Sequence, residues 1–143
     1  MRKQKLPADI ESDKHSICFT LEDLPDNNHL IRVSLKGDLE NVSDKRLKTA
    51  VDKIFDKIAK QEDRVIVDMT PGVDFVDTNV IAYLIARSAK KAFDRKIFFG
   101  VICNSGTIFR IFQITGLDRI FNVYTDDSLT TKASYEHFHQ AKL

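Results

Sequence analysis

Cysteine is scarce in this chain, and the scarcity narrows the field. Two residues, Cys18 and Cys103, stand far apart and form no C-x-x-C pair. That argues against a disulfide-stapled secreted module and for a reduced, cytosolic domain. Long apolar runs are missing as well: none approaches the ~20 residues that a membrane-spanning helix needs, so no membrane insertion is expected. The opening stretch MRKQKLPADIESDK has early basic residues but no apolar segment and no small-residue cleavage site, so it does not read as a signal peptide. The expected compartment is the cytoplasm. Charge of one sign is not in excess either. Lys and Arg number 22 against 21 Asp and Glu, a net +1, which leaves no global field to gather nucleic acid or an anionic membrane.

The loops that cradle phosphate are also absent. No G-x-x-x-x-G-K-[ST] and no G-x-G-x-x-G occurs, and neither does the G-x-S-x-G of a nucleophile elbow. No Ser or Cys has a basic partner to which spacing points. His137 and His139 form an H-x-H pair near the terminus without a matched acidic or cysteine partner, which fits an exposed helix end better than a metal site. The expectation is a chain that is not an enzyme, with no catalytic residue, no metal and no cofactor.

What is present fits one globular domain: 143 residues, 43% hydrophobic and 30% charged, without internal repeats or low-complexity blocks. Residues 1–14 have only Leu6 and Ile10 as large apolar side chains, so they read as a flexible, solvated tail dispensable for folding. Residues 15–143 are then the domain. SICFTL over 16–21 and IRVSLK over 31–36 alternate apolar and polar residues across the turn-rich EDLPDNNH. They predict an antiparallel pair with one wetted face.

Gly37 breaks that pattern, and Ser43 with Asp44 suits a helix start. Leu47, Ala50, Val51, Ile54, Phe55 and Ile58 then recur at helical spacing and predict a helix over 43–61. Its lysines at 48, 53, 57 and 60 fall mostly on a solvated face. Residues 65–69 predict a short strand, and TPGVDFVD reads as a loop. Asp77 caps a helix over 78–93 whose stripe is Ile81, Leu84, Ile85, Ser88, Ala89 and Ala92. KIFFGVIC over 96–103 is nearly continuous apolar, as in a strand covered on both faces. Strand, helix and strand over 65–103 make a parallel βαβ unit with a right-handed crossover. Ser105 caps a third helix, TIFRIFQIT, ended by Gly116 and Leu117. Residues 120–124 read as a short edge strand, and Asp126 or Asp127 as the start of a last helix towards His139. Both main helices need cover for an apolar stripe, so they are expected on one face of the sheet.

Two places resist a purely structural account. In DFVDTNV, residues 74–80, Asp77 and Thr78 either satisfy the free N–H groups of a helix start or present a hydroxyl that accepts a phosphoryl group beside Asp74 and Asp77. In the third helix, Ile108, Phe109, Ile111, Phe112 and Ile114 spread beyond a single stripe. Either that helix is buried on most sides or some of its apolar surface is left for a partner.

From about Ser16 to Ala133 the chain resembles the STAS domain of bacterial anti-sigma factor antagonists. Gly37-Asp38-Leu39-Glu40 is similar to that family's G-E-L-D after the second strand. Val67-Asp68-Met69, then Phe75-Val76-Asp77-Thr78, is similar to its strand, loop and D-S-S-G phosphorylation motif. Cys103-Asn104-Ser105 with Arg110 and Phe112 resembles its fourth strand running into an S-x-x-x-x-R-x-F helix, and Thr115-Gly116-Leu117 resembles the S-G-L that closes it. The resemblance implies an α/β fold, a mixed sheet of four or five strands with about four helices largely on one face. It implies Thr78 as the phosphoacceptor and partner contacts at Glu40, Asp77, Asn79, Asn104 and Ser105. The implied partner is an anti-sigma factor of the histidine-kinase-like ATPase type, with serine/threonine kinase activity, so that the chain would regulate a sigma factor and hence transcription. Asn79-Val80 departs from the family's Ser-Gly, and Thr for Ser resembles the D-T of stressosome-type STAS proteins. The rival expectation is a constitutive STAS scaffold or a transporter-associated STAS subunit, not phosphorylated at Thr78.

Overall fold

The computed structural model describes residues 3–125 apart from Asp26, Ile58, Glu62 and Ser105. In chain order its elements are β1 (Lys3–Lys5), β2 (Ile10–Glu11), β3 (His15–Asp23), β4 (His29–Leu39), α1 (Asp44–Lys57), β5 (Arg64–Asp68), β6 (Val73–Val76), α2 (Thr78–Val80), a π-helical stretch (Ile81–Ala86), α3 (Arg87–Asp94), β7 (Phe98–Ile102), α4 (Thr107–Ile114), a 3-10 turn (Leu117–Arg119) and β8 (Asn122–Tyr124). The fold is α/β with one mixed sheet in the order β1-β3-β4-β5-β7-β8, to which β2 adds beside β3 and β6 beside β4.

The alternating runs make the antiparallel half. Ile17 pairs with Leu35, Phe19 with Val33 and Leu21 with Ile31, and the apolar members point into the core while Ser16, Thr20, Arg32 and Lys36 take the wetter face. From β4 onward the pairing is parallel, with Val65 opposite Ile31 and Phe99 opposite Val65. The βαβ unit is formed as expected, and β8 lies at the sheet's end against β7.

Eight strands replace the expected four or five, and the extra ones are short. β6 falls in the stretch read as a loop; it takes up pairing with the last residues of β4, where β5 has stopped. The other two overturn the solvated tail from residue 3 onward. β1 and β2 pair with β3, and Leu6, Ala8 and Ile10 are buried in the main core. The Leu6 N–H donates to the Phe19 carbonyl at 2.8 Å, and the Phe19 N–H donates to Asp9 Oδ1 at 2.9 Å. Leu6, Ala8 and Ile10 keep the strand period of two although Pro7 interrupts them; full burial of Leu6 and Ile10 contributes about 1.5–3 kcal/mol each.

Ser43 caps α1, accepting the Arg46 N–H at 3.4 Å, and Leu47, Ala50, Val51, Ile54 and Phe55 are buried as their spacing demands. The helical stretch over 78–94 lies beside α1 on the same face, with Arg87 ion-paired to Asp52 and Arg95 to Asp56. One core joins both helices to the inner face of the sheet. A second, smaller cluster of Leu30, Ile66, Phe98 and Ile102 occupies the other face, which is why β7 is apolar on both sides.

Gly106 stands at the N-cap of α4, in the place where Ser105 was expected; Ser105 itself lies outside the described residues. Phe112 anchors α4, its ring 6.0 Å from Phe121, which meets Phe99 edge-on at 5.7 Å. Gly116 closes the helix in the left-handed region at φ 75°. Ile114 and Ile120 stay 77% and 73% exposed, so of the two readings of this helix it is the partly open one that holds. No helix among the described residues is long and apolar enough to cross a membrane. The expected last helix and the His137–His139 pair lie outside the described residues.

Candidate functional site

Parallel pairing of Leu39 with Val76 brings the next residues, Glu40 and Asp77, to the same end of the sheet. That end, where the parallel strands finish, is the place at which open α/β sheets gather their binding residues. Glu40 is exposed on the loop over 40–43. Thr78 begins the helix over 78–94, is exposed, and among the described residues its hydroxyl has no hydrogen-bond partner.

Asp77 sits at the N-cap position with extended backbone, φ −73° and ψ 154°, yet its carboxylate caps nothing. The Asn41 N–H donates to Asp77 Oδ2 at 3.1 Å, and the Asp77 N–H donates to the Leu39 carbonyl at 3.2 Å. The expectation that Asp77 caps the helix with its side chain is therefore corrected. The loop N–H captures it first, because Asn41 adopts φ 55° and turns its backbone towards the helix start. The helix closes its first turn on backbone alone, Val80 and Ile81 N–H both donating to the Asp77 carbonyl.

Asn79 faces inward. Its Nδ2 donates to the Val42 carbonyl at 2.6 Å and to Asp44 Oδ1 at 2.9 Å, while its Oδ1 is buried without a hydrogen-bond partner. The sequence pointed to Asn79 as a contact residue and to Asp44 as a helix-dipole charge; the structure ties the two to each other. Asn41 was not singled out at all. An Asn between a strand and a helix start, where a left-handed residue is needed, is the signal that could have found it.

Asn104 belongs to a neighbouring cluster. Its amide donates to the Thr70 carbonyl at 3.3 Å, and it lines a recess of about 370 Å³ with Met69, Asp74 and Thr107. Thr70 is held in turn by Asp68, whose other oxygen takes a hydrogen bond from Arg32 at 2.9 Å. Phe75 stands 46% exposed between the two clusters in sequence, next to exposed Asp74.

Metal-ligating atoms come together elsewhere. Among the described residues, Asp9, Glu11 and Cys18 place theirs within 4.8 Å of one another. The Lys5 ammonium lies 3.0 Å from Asp9 and 3.6 Å from Glu11, so a side-chain cation already stands against both carboxylates.

A family model described as STAS domain matches residues 24–128. No curated protein matches the chain. Among solved structures, an anti-sigma factor antagonist from Mycobacterium paratuberculosis superposes with a TM-score of 0.60 at 17% identity, over 94% of this chain and 95% of the other. An uncharacterized protein with a SpoIIAA-like fold from Shewanella loihica gives 0.53 at 13% identity, over 87% and 98%. At such identities the likeness is one of fold.

Proposed function

Since the chain belongs to the STAS domain family, we propose that it is a cytoplasmic anti-sigma factor antagonist whose binding is switched off by phosphorylation of Thr78. The unmodified domain binds an anti-sigma factor of the histidine-kinase-like ATPase type and so frees a sigma factor. The partner supplies kinase activity, ATP and Mg²⁺; this chain supplies a hydroxyl. The observation that carries the reading is the exposed Thr78, with no hydrogen bond to its hydroxyl among the described residues, directly after Asp77 at a helix start. A hydroxyl spent on capping would have favoured the purely structural account.

Phosphorylation adds about −1.5 to −2 charges beside Asp74 and Asp77, and any partner surface packed there meets repulsion and a desolvation cost. A penalty of ~3 kcal/mol weakens binding roughly a hundredfold. Glu40 at the neighbouring strand end and Asn104 after β7 extend the proposed contact surface; Ser105, the other expected contact, lies outside the described residues. The test is incubation with the cognate kinase and ATP, read by intact mass and by calorimetric titration. Thr78→Ala should bind and resist switching, and Thr78→Glu should bind poorly. If the wild type gains no phosphate, or gains it at another residue, the constitutive scaffold takes precedence.

A further inference from the structure

The loop over 40–43 with its flanking residues Leu39 and Asp44 is joined to the turn at Thr78 by hydrogen bonds of two kinds. One kind is backbone to backbone, Asp77 N–H to the Leu39 carbonyl. The other kind runs through side chains: Asn41 N–H to Asp77 Oδ2, and Asn79 Nδ2 to both the Val42 carbonyl and Asp44 Oδ1. We infer that Asn79 is a positioning residue: with Asp77 it latches the loop that carries Glu40 to the acceptor turn, and negative charge at Thr78 releases the latch.

Each end of the latch is a carboxylate acting as acceptor. Asp77 is the residue before Thr78, and Asp44 is one hydrogen bond from the residue after it. New negative charge on Thr78 therefore falls between two acids and drives both away, so the bonds that give are those made by the acids. Asn41 stores the response. It holds φ 55°, a left-handed conformation that Asn adopts more readily than most residues, and its N–H bond to Asp77 helps to hold it there. Once Asp77 withdraws, Asn41 returns to ordinary backbone, and Glu40, its neighbour, changes direction. Asn79 fits this role because its amide donates twice in one direction, while its own oxygen, buried and unpartnered, ties it to nothing else. A serine in its place is too short to span both acceptors.

The inference rests on Thr78 being the acceptor, but its test needs no kinase. Amide exchange is measured on the isotope-labelled full chain at Asn41, with Val33 in the middle of β4 as the internal reference. Asn79→Ala and Thr78→Glu should each speed exchange at Asn41 about tenfold while Val33 holds its rate, and Thr78→Gln, of similar size without charge, should leave both unchanged. Asn41 indifferent to Asn79→Ala means there is no latch. Equal rates in Thr78→Glu and Thr78→Gln mean that it does not sense charge, and equal acceleration at Val33 means general loosening; each outcome overturns the inference. Absence of phosphate at Thr78 in the kinase assay would overturn the proposed function and leave these rates as they are.

Discussion

Arg87 grips Asp52 with three hydrogen bonds of 2.9–3.1 Å across an offset of 35 residues. The same offset links Asp44 with Asn79, Lys48 with the face of Tyr83 at 4.4 Å, and Asp56 with Lys91. A constant offset means that α1 and the helix over 78–94 run parallel and meet once per turn. Their parallel course follows from topology, since each helix leaves one parallel strand and returns to the next. The rungs begin at the residue after Thr78, so the acceptor turn is the first step of the contact between the helices.

The Arg87–Asp52 rung should contribute modestly. Both side chains are over a third exposed, and solvent screens them, so Arg87→Ala is expected to cost about 0.5–1 kcal/mol. Urea unfolding of the two single variants and the double variant gives the coupling; a coupling of zero would show that packing alone sets the helix pair.

Acid should remove the same contribution. Partial burial pushes the Asp52 carboxyl up, but hydrogen bonds from Arg87 and Lys91 and their charges prevail, holding it below the ordinary 3.8. A carboxyl lowered in the folded state stabilises above its unfolded value and loses that effect as pH falls through the folded one. Between pH 5 and about pH 3 the stability of the wild type should therefore fall more than that of Asp52→Asn. Parallel acid limbs for the two proteins would count against this.

Removing residues 1–14 should destabilise the domain. The deletion strips Leu6, Ala8 and Ile10 from the core and leaves the outer edge of β3 unpaired. Leu6→Ala and Ile10→Ala should each cost about 2–4 kcal/mol, lowering the thermal midpoint. An unchanged midpoint for the deletion would restore the solvated-tail reading.

Gly37→Ala is expected to be among the worst small changes in the chain. At φ 87° a side chain is strained, and a Cβ there would lie 2.2 Å from the Lys14 carbonyl oxygen, part of the backbone that β3 enters. A loss of at least ~2 kcal/mol in unfolding free energy follows. A milder cost would mean that the chain around Lys14 gives way easily.

The two thiols should differ in accessibility. Burial pushes Cys103 up to about 11. Cys18, half-buried, is raised by burial and then by Asp9 and Glu11. Neither is a ready thiolate at neutral pH. Alkylation of the native protein should modify Cys18 slowly and Cys103 only on unfolding; rapid loss of both thiols would contradict the packing around β7.

The strongly periodic parts of the fold were legible. Ile31, Val33 and Leu35, or the α1 stripe from Leu47 to Phe55, have one face each to bury, and period alone assigns it. β6 was not legible, because Asp74 and Phe75 are exposed and its pairing depends on how far β4 outruns β5. At the site, the strand-to-helix position of Thr78 was readable, since Asp and Thr before an apolar stripe mark a helix start. The partners of Asp77 and Asn79 were not. They are set by the left-handed turn at Asn41, whose contacts come from residues distant in sequence.

The π-helical stretch over 81–86 is a wide turn set between two registers that agree. There the Arg87 N–H reaches back five residues to the Ala82 carbonyl. The offset to α1 is nevertheless 35 at Asn79, before the stretch, and 35 at Arg87 and Lys91, after it. The wider winding is therefore contained within 81–86 and is not passed on to the rungs. The two helices keep step across it.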